Sequence, residues 1–305
     1  MINNKKGNMK SKIYENQKSK MKTLFKITMF FMVFFLPVAM FGQEDLLKDI
    51  DSSSSQKSKV DAAFKGLKIV NIESTKLASK GDFYFIVAHR FGSLKDGFEG
   101  GYGLDNAVSQ LKFMYGVSEW FTISAARSEL AYDFSGKFLL HSQETNGFPI
   151  AIAAFTSLAF NNTLKESNYP RMKFENRLVY VAQLLVSRKF NNKFSFEIVP
   201  TFFHENFVID DEQDNSQYAL GLGGRYKLAK RWSVNIDYAA HLNRSSSSPF
   251  KDPLSIGFDL ETGGHVFQMH FSSSQGIHEA GFLGNSTGDW SKGDIFFGFN
   301  LLRVF

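Results

Sequence analysis

Cysteine is absent from this chain of 305 residues, which excludes a disulfide framework and thiolate metal sites and does not oppose export. Proline is scarce, at 6, so long stretches carry nothing that interrupts extended backbone. After residue 42 no apolar run approaches eighteen residues, and a second membrane helix is therefore excluded. The zinc-hydrolase pattern HEXXH does not occur. The glycine-rich run Gly92–Gly103 lacks the Lys-Ser/Thr ending and the ensuing helix of a phosphate-cradling loop, so it reads as a flexible strand connection. Ser142 beside His141, and Asp259 with Glu261, are reminiscent of hydrolase or glycosidase groups. Nothing supplies an oxyanion hole or a two-carboxylate geometry for them. No catalytic residue is assigned, and the chain is read as a non-enzyme.

The front of the chain reads as targeting sequence. From Met21, Lys22 and Lys26 form a basic region and Ile27 to Phe41 an apolar one broken by Pro37. Gly42 before Gln43 is a plausible cleavage point, and the apolar run of about fifteen residues falls short of the roughly twenty that span a bilayer. Met9 or Met21 could each be the true start. Residues 1–42 hold eight lysines against Glu15, and the formal net charge of +5 belongs to them. Without that leader the chain is close to neutral and has no nucleic-acid footprint, no cofactor signature and no basic patch. Residues 43–63, with their serine run, read as a flexible periplasmic lead-in.

What the chain has in abundance is phenylalanine, 34 residues of it. The last stretch, Lys292 to Phe305, shows how they are used. Every second residue back from the end gives Phe305, Arg303, Leu301, Phe299, Phe297 and Ile295, while the other parity mixes Asn300, Gly298 and Asp294 with apolar residues. Period two is a strand signal, and a strand ending on a terminal aromatic is what closes a membrane barrel. Other stretches alternate likewise. Trp232, Val234, Ile236, Tyr238 and Ala240 oppose Ser233, Asn235, Asp237 and His241; Leu254, Ile256, Phe258 and Leu260 oppose Ser255, Gly257, Asp259 and Glu261. Tyr218, Leu220 and Leu222 oppose Gly221, Gly223, Arg225 and Lys227. Twelve such strands are expected between Gly81 and Phe305, with a thirteenth segment, Phe64 to Glu73, forming a short strand or tucking into the lumen. Tight polar turns alternate with longer connections, at 92–106, 161–173, 209–216 and 244–253, as in outer-membrane barrels. The expected fold is all-β, a single closed antiparallel transmembrane β-barrel of about twelve strands over residues 64–305, with Tyr115, Trp120, Tyr180, Trp232 and Tyr238 as interfacial girdles.

Several short motifs in fixed order, His89-Arg90-Phe91-Gly92, Gly103-Leu104-Asp105, Gly264-His265-Val266-Phe267-Gln268, Ser274-Gln275-Gly276, Gly293-Asp294-Ile295 and the ending Phe297 to Phe305, resemble a Bacteroidota β-barrel family known as domain of unknown function 5777. The resemblance implies an outer-membrane barrel and no particular activity. Arg303 stands two residues before the terminal Phe, where an apolar residue is usual.

Arg225, Lys227, Asp237, Asp259 and Glu261 share the face assigned to the lumen. With Glu175 and Glu197 they are expected to form interior ion pairs that fix register or, left partly unpaired around water, a selectivity constriction. Arg90, Arg127 and Arg177 are further basic candidates, Arg127 facing the lumen only if a bulge precedes it. A lumenal cluster of His270 with His89 or His241 and Asp237 is the candidate for a metal or porphyrin, set against simple hydrogen bonding in a polar interior. The expected function is therefore an outer-membrane barrel, either a narrow passive channel for a small solute or a plugged structural or partner-binding barrel. Its partners are outer-membrane lipid and the barrel-assembly machinery. The alternatives are an apolar ligand, metal or haem held in the lumen or the periplasm.

Overall fold

In the computed structural model, residues 57–208 and 212–305 are described. The leader at 1–42 and the lead-in as far as residue 56 lie outside them. Twelve antiparallel strands close into a barrel: β1 Phe83–Ser93, β2 Val108–Ser118, β3 Phe121–Ser128, β4 Ala131–His141, β5 Ala151–Asn161, β6 Leu178–Lys189, β7 Phe194–Glu205, β8 Ser216–Lys227, β9 Trp232–His241, β10 Leu254–Thr262, β11 His265–Ser272 and β12 Phe296–Val304. Each pairs with its neighbours in sequence, and β12 pairs back onto β1 through Leu301↔Val87 and Val304↔Tyr84. The last residue completes the seam: the Phe305 N–H donates to the Phe83 carbonyl at 2.9 Å. Among the described residues the barrel itself has no open edge, which a hydrocarbon surrounding requires.

The alternation sorts the two faces. Phe113, Ile123, Phe134, Ile236, Phe258 and Met269 are exposed on the outer wall, whereas Gln110, Thr122, Asp237, Ser255 and Gln268 are buried inside. Tyr115, Trp120 and Trp232 ring the end that carries the short turns, and Tyr180 and Tyr238 the opposite end, as two aromatic girdles should. Arg303 faces outward near the short-turn end and lies over the Phe305 ring, 4.6 Å from its centroid, with its charge at the girdle. Arg127 also faces outward with no bulge before it, its Nε donating to the Tyr132 hydroxyl at 3.1 Å.

Three local expectations change. β4 begins at Ala131, directly after β3, because Glu129-Leu130 make a tight turn where a longer connection was expected at this end, closed by the Ala131 N–H donating to Ser128 Oγ at 3.0 Å. One connection at the long-loop end is therefore short, and it carries no Gly, Pro or Asn to announce it. β6 begins only at Leu178, since Glu175–Arg177 form a 3₁₀ turn. The glycine-rich connection after β1 is folded, not slack, with 3₁₀ turns at Leu94–Asp96 and Gly101–Asn106. Gly103 lies directly against the Gly92 backbone at φ +86°, where a Cβ has no room. The Gln275 side chain donates to the carbonyls of Phe91 and Asn106 at 3.1 and 2.5 Å. Three of the separate sequence motifs thus form one joint.

Placing a charge on the outer wall should be costly. Phe258→Arg, at mid-strand, is expected to destabilise the barrel by about 2–4 kcal/mol, read as a lower urea midpoint in reversible folding into lipid vesicles. The same substitution on a water-facing loop such as Phe98→Arg should shift it little.

Candidate functional site

The segment from Ala63 to Ala78 fills the lumen. Phe64, Leu67, Ile69, Val70, Ile72, Glu73 and Ser74 are almost fully buried. The chain comes in at the short-turn end, where Ser58–Lys59 pair with Glu144–Thr145. It folds back on itself, with Ile69 donating to the Ile72 carbonyl at 2.8 Å and Ser74 to that of Leu67 at 3.0 Å. It returns to the same end to start β1. Of the two forms expected for this segment, the tucked one is observed. Glycines on the wall make its space: Ile69 lies where a side chain on Gly223 would be, and the Ile72 Cδ1 lies 3.0 Å from the place of a Gly221 Cβ. The face assigned to the lumen at Gly221 and Gly223 is thus a groove for the plug.

Backbone groups of this irregular segment would be orphaned in a barrel core without dedicated partners. Asp237 supplies them, its Oδ2 accepting the N–H groups of Val70, Asn71 and Ile72 at 3.2, 2.7 and 3.0 Å. Glu197 Oε2 accepts the Thr75 N–H at 3.0 Å. Arg90 donates to Asn71 Oδ1 at 2.9 Å and to Asn300 Oδ1 at 3.0 Å. Gln268 reaches the Lys68 and Ile69 carbonyls, both at 3.3 Å. Arginine and glutamine here serve as fixed donors in a dry interior.

Glu73 is the plug's charged centre. Its carboxylate meets Lys137 at 2.7 Å and Lys112 at 3.6 Å, both from the wall, and Lys68 of the plug at 3.3 Å. Lys137 also donates to the carbonyls of Leu67, Ser74 and Lys76 at 3.0, 2.8 and 3.2 Å. Burial alone would raise the Glu73 carboxyl; the ammonium groups of Lys137, Lys112 and Lys68 overcome it and hold the group well below the ordinary carboxylate range. From the long-loop end a second insertion descends, the short helix α1, Glu279–Gly284, all buried. Glu279 pairs with Lys68, and Ala280, Phe282 and Leu283 pack with Ile72 against Phe155, Leu185, Val199 and Phe203 of the wall. This side of the lumen is apolar, where strand alternation led to the expectation of a polar interior. Between plug and wall there remains a cavity of about 30 Å³ lined by Glu73, Arg90, Lys112 and Gln268 among others. That holds a water or two and no solute.

The residues proposed from sequence are only partly brought together as expected. Arg225 is buried and pairs with Glu261 at 2.9 Å, while its Nε donates to Ser233 Oγ at 3.2 Å. Glu261 also faces Lys65 of the plug at 3.8 Å. Asp259 accepts from Gln268 at 3.1 Å. Asp237 and Glu197 are committed to plug backbone and do not pair with Arg225 or Lys227, and Lys227 sits half-buried next to the β8–β9 turn. Glu175 lies outside the lumen in its loop, exposed and 3.9 Å from Lys173, and Arg177 covers the Phe160 ring. The histidine cluster does not assemble. His270 is buried inside, but His89 faces out and shares a 2.6 Å hydrogen bond with Ser109, and His241 bonds Gln217 at 2.8 Å. The odd spacing that puts His265 and His270 on opposite faces also separates His89 from Arg90. Among the described residues no group of three or more His, Asp or Glu is placed to hold a metal.

The remaining motif residues are structural. Phe91 stacks on Phe297, with ring centroids 5.5 Å apart, and His265 stacks near Phe267 outside. Gly264 forms the β10–β11 turn, its carbonyl accepting from Val304 at 3.2 Å, and Phe305 closes the barrel. Sequence reasoning missed Glu73, Lys112, Lys137 and Glu279. Lys112 lies in an alternating strand whose inward parity was legible, so a lone lysine there was a usable signal; the plug's Glu73 carried none.

The matched motifs, the closed barrel and its outward aromatic wall agree with one assignment. This chain belongs to the membrane bound beta barrel domain family (DUF5777), whose pattern matches residues 64–305. No curated protein matches it in sequence. Among solved structures it is similar to the KdgM porin, at 7% identity and a TM-score of 0.45 over 73% of this chain and 99% of that one. The NanC porin follows at 9% identity and 0.46, over 73% and 98%. The COG4313 outer membrane channel from Pseudomonas putida F1 gives 12% and 0.45, over 75% and 97%.

Removing the Glu73 charge leaves Lys137 and Lys112 facing each other in a dry site. Glu73→Gln is expected to weaken plug docking by about 3–5 kcal/mol. Because the chain has no cysteine, an Ala78→Cys reporter, buried in the docked plug, reads this as faster thiol labelling in folded protein. The pH sense follows from the depressed carboxyl: its stabilisation is complete above the ordinary value of 4.5 and is lost as pH falls from there through the folded value. Labelling of the reporter, taken relative to an exposed Phe98→Cys at the same pH to remove the thiol's own titration, should accelerate under acid and stay flat from neutrality to about pH 5.

Proposed function

We propose that this protein is an outer-membrane barrel closed at rest by its own N-terminal segment, and that small solutes pass only when that segment is displaced. The observation that carries the reading is the occupied lumen: residues 63–78 pack inside it with Phe64, Ile69, Ile72 and Glu73 almost fully buried, and the cavity between plug and wall beside Glu73 is water-sized, about 30 Å³. A twelve-strand barrel emptied of such a plug lies between eight-strand barrels filled by side chains and sixteen-strand open pores. Its wall is polar over much of the interior, which favours passage of hydrophilic solutes over storage of an apolar ligand. The plug is tied by discrete hydrogen bonds and one ion cluster, beside apolar contacts of Ile72 on one side and of Leu67 and Ala78 on another, and its polar ties suit it to release as a unit. Among the described residues the lumenal carboxylates Asp237, Glu197 and Glu73 are taken up by plug backbone or lysines, which favours a non-enzymatic role. Export through the leader at 1–42 and insertion by the barrel-assembly machinery complete the reading. The two ends are then assigned by the termini: the short-turn end, where β1 starts and Phe305 ends, faces the periplasm.

Planar-bilayer recording of the refolded full-length protein tests this. The wild type should be silent at moderate voltage. Glu73→Lys, which sets a third positive charge against Lys112 and Lys137, should produce discrete steps. Frequent, stable steps from the wild type would overturn the closed state.

A further inference from the structure

The plug shows what the wall around it recognises. Within six residues it presents a carboxylate to one side of the lumen and N–H donors to the other. Glu73 meets Lys112 of β2 and Lys137 of β4. The N–H groups of Val70, Asn71, Ile72 and Thr75 meet Asp237 of β9 and Glu197 of β7. In a closed ring of twelve strands, β9 stands five strands from both β2 and β4, close to half a turn, so Asp237 faces the two lysines across the lumen; β7 stands five strands from β2 and three from β4, so Glu197 lies opposite Lys112 and to the side of Lys137. Arg90 on β1 extends the positive side, held only through neutral acceptors, and Asp259 on β10 extends the negative side. Each side carries exceptions, Lys227 at the β8–β9 turn among them. Asp133 stands among the cations, and Arg225 among the anions, where it is neutralised by Glu261. The carboxylate of Glu197 is fully buried, and its Oε1 has no hydrogen-bond partner, an acceptor aimed inward and left unused by the plug.

We infer that the displaced-plug state of this barrel selects zwitterionic solutes of the amino-acid and short-peptide class, the carboxylate end running along Lys112 and Lys137 and the ammonium or amide end along Asp237 and Glu197. This rests on the reading of a displaceable plug. Opposite charges facing each other across a narrow passage create a field transverse to the axis. An ion of one sign is attracted to one wall and repelled by the other, while a dipole aligned across the passage gains from both. The plug itself, a peptide with one acidic side chain, is the occupant for which that field is already satisfied. The near balance of wall charges also removes any strong preference between simple cations and anions.

The test uses the full chain, opened in two ways: Glu73→Lys, and the wild type in urea below the concentration that unfolds the barrel. In liposome swelling, the opened protein should pass glycylglycine severalfold faster than a singly charged or uncharged solute of the same size, and in a KCl gradient its reversal potential should lie near zero. Lys112→Glu with Lys137→Glu on the native Glu73, which sets like charges against the plug and opens it in its turn, should abolish the glycylglycine preference and move the reversal potential towards cation selectivity. Equal passage of glycylglycine and its uncharged counterpart, or strong ion selectivity before the wall is changed, overturns the inference and leaves the plug intact as a concept. Silence under both opening conditions overturns the displaceable plug, and the inference with it.

Discussion

A hydrocarbon surrounding offers no hydrogen bonds, and every feature of this molecule follows from that refusal. Each strand N–H and carbonyl must find its partner in the next strand, so the sheet has to close, and it closes through the terminal residue itself, Phe305 on Phe83. Closure then fixes the sides of all twelve strands at once. Outward positions can be phenylalanine, leucine or isoleucine at no cost, and inward ones must either be hydrated or be paired. The abundance of phenylalanine and the buried polar inventory are two results of one constraint.

The inward half of that constraint explains the plug. Twelve strands enclose more space than their own inward side chains fill, and an irregular peptide placed there brings its own unpaired backbone. Asp237 accepting three consecutive N–H groups is the solution, a carboxylate serving as a cap for a turn that no helix or sheet could satisfy. Glu73 works in the opposite direction, a plug carboxylate inserted between two wall lysines. Neither charge is tolerable without the other element in place, so wall and plug specify each other's position. The apolar corner formed by Ile72, Phe282 and Phe203 adds area without direction.

The fold was legible in the sequence because period two is a local property. The alternations in Trp232–His241 and Leu254–Glu261 place Asp237 and Asp259 inside without reference to any partner, and the tyrosines and tryptophans announce the girdles. The contacts within the lumen were not legible, because pairing there depends on registers between strands half a barrel apart and on a segment with no periodicity. Arg225 and Asp237 sit opposite Asn235 and Gly223 in adjacent strands, yet Arg225 pairs two strands over with Glu261 and Asp237 turns to the plug. The glycines at 221 and 223 were read as lumen-facing, but their purpose as a groove needed the coordinates of Ile69 and Ile72. The Glu129-Leu130 turn escaped for a simpler reason: a serine hydroxyl closes it, with no Gly, Pro, Asn or Asp between the two strands.

A plug could be held by grease alone, and the choice of polar ties has a mechanical consequence. Replacing a buried ion cluster with well-packed apolar side chains is often neutral or stabilising, so charges are not the strongest way to fill a lumen. Apolar contacts lose little when a segment slides by one residue, whereas the three-fold acceptance at Asp237 and the Glu73–Lys137 pair fail together on any displacement. A segment held this way is either docked in one register or out. Lys68 sharpens the point, since it is shared between Glu73 of the plug and Glu279 of the opposite insertion. The two insertions enter from opposite ends of the barrel and meet on one side chain, so movement of α1 removes a partner from the plug's charged centre without touching the wall. Two-state docking, with a contact point reachable from both ends, is what the distribution of charge inside this barrel provides.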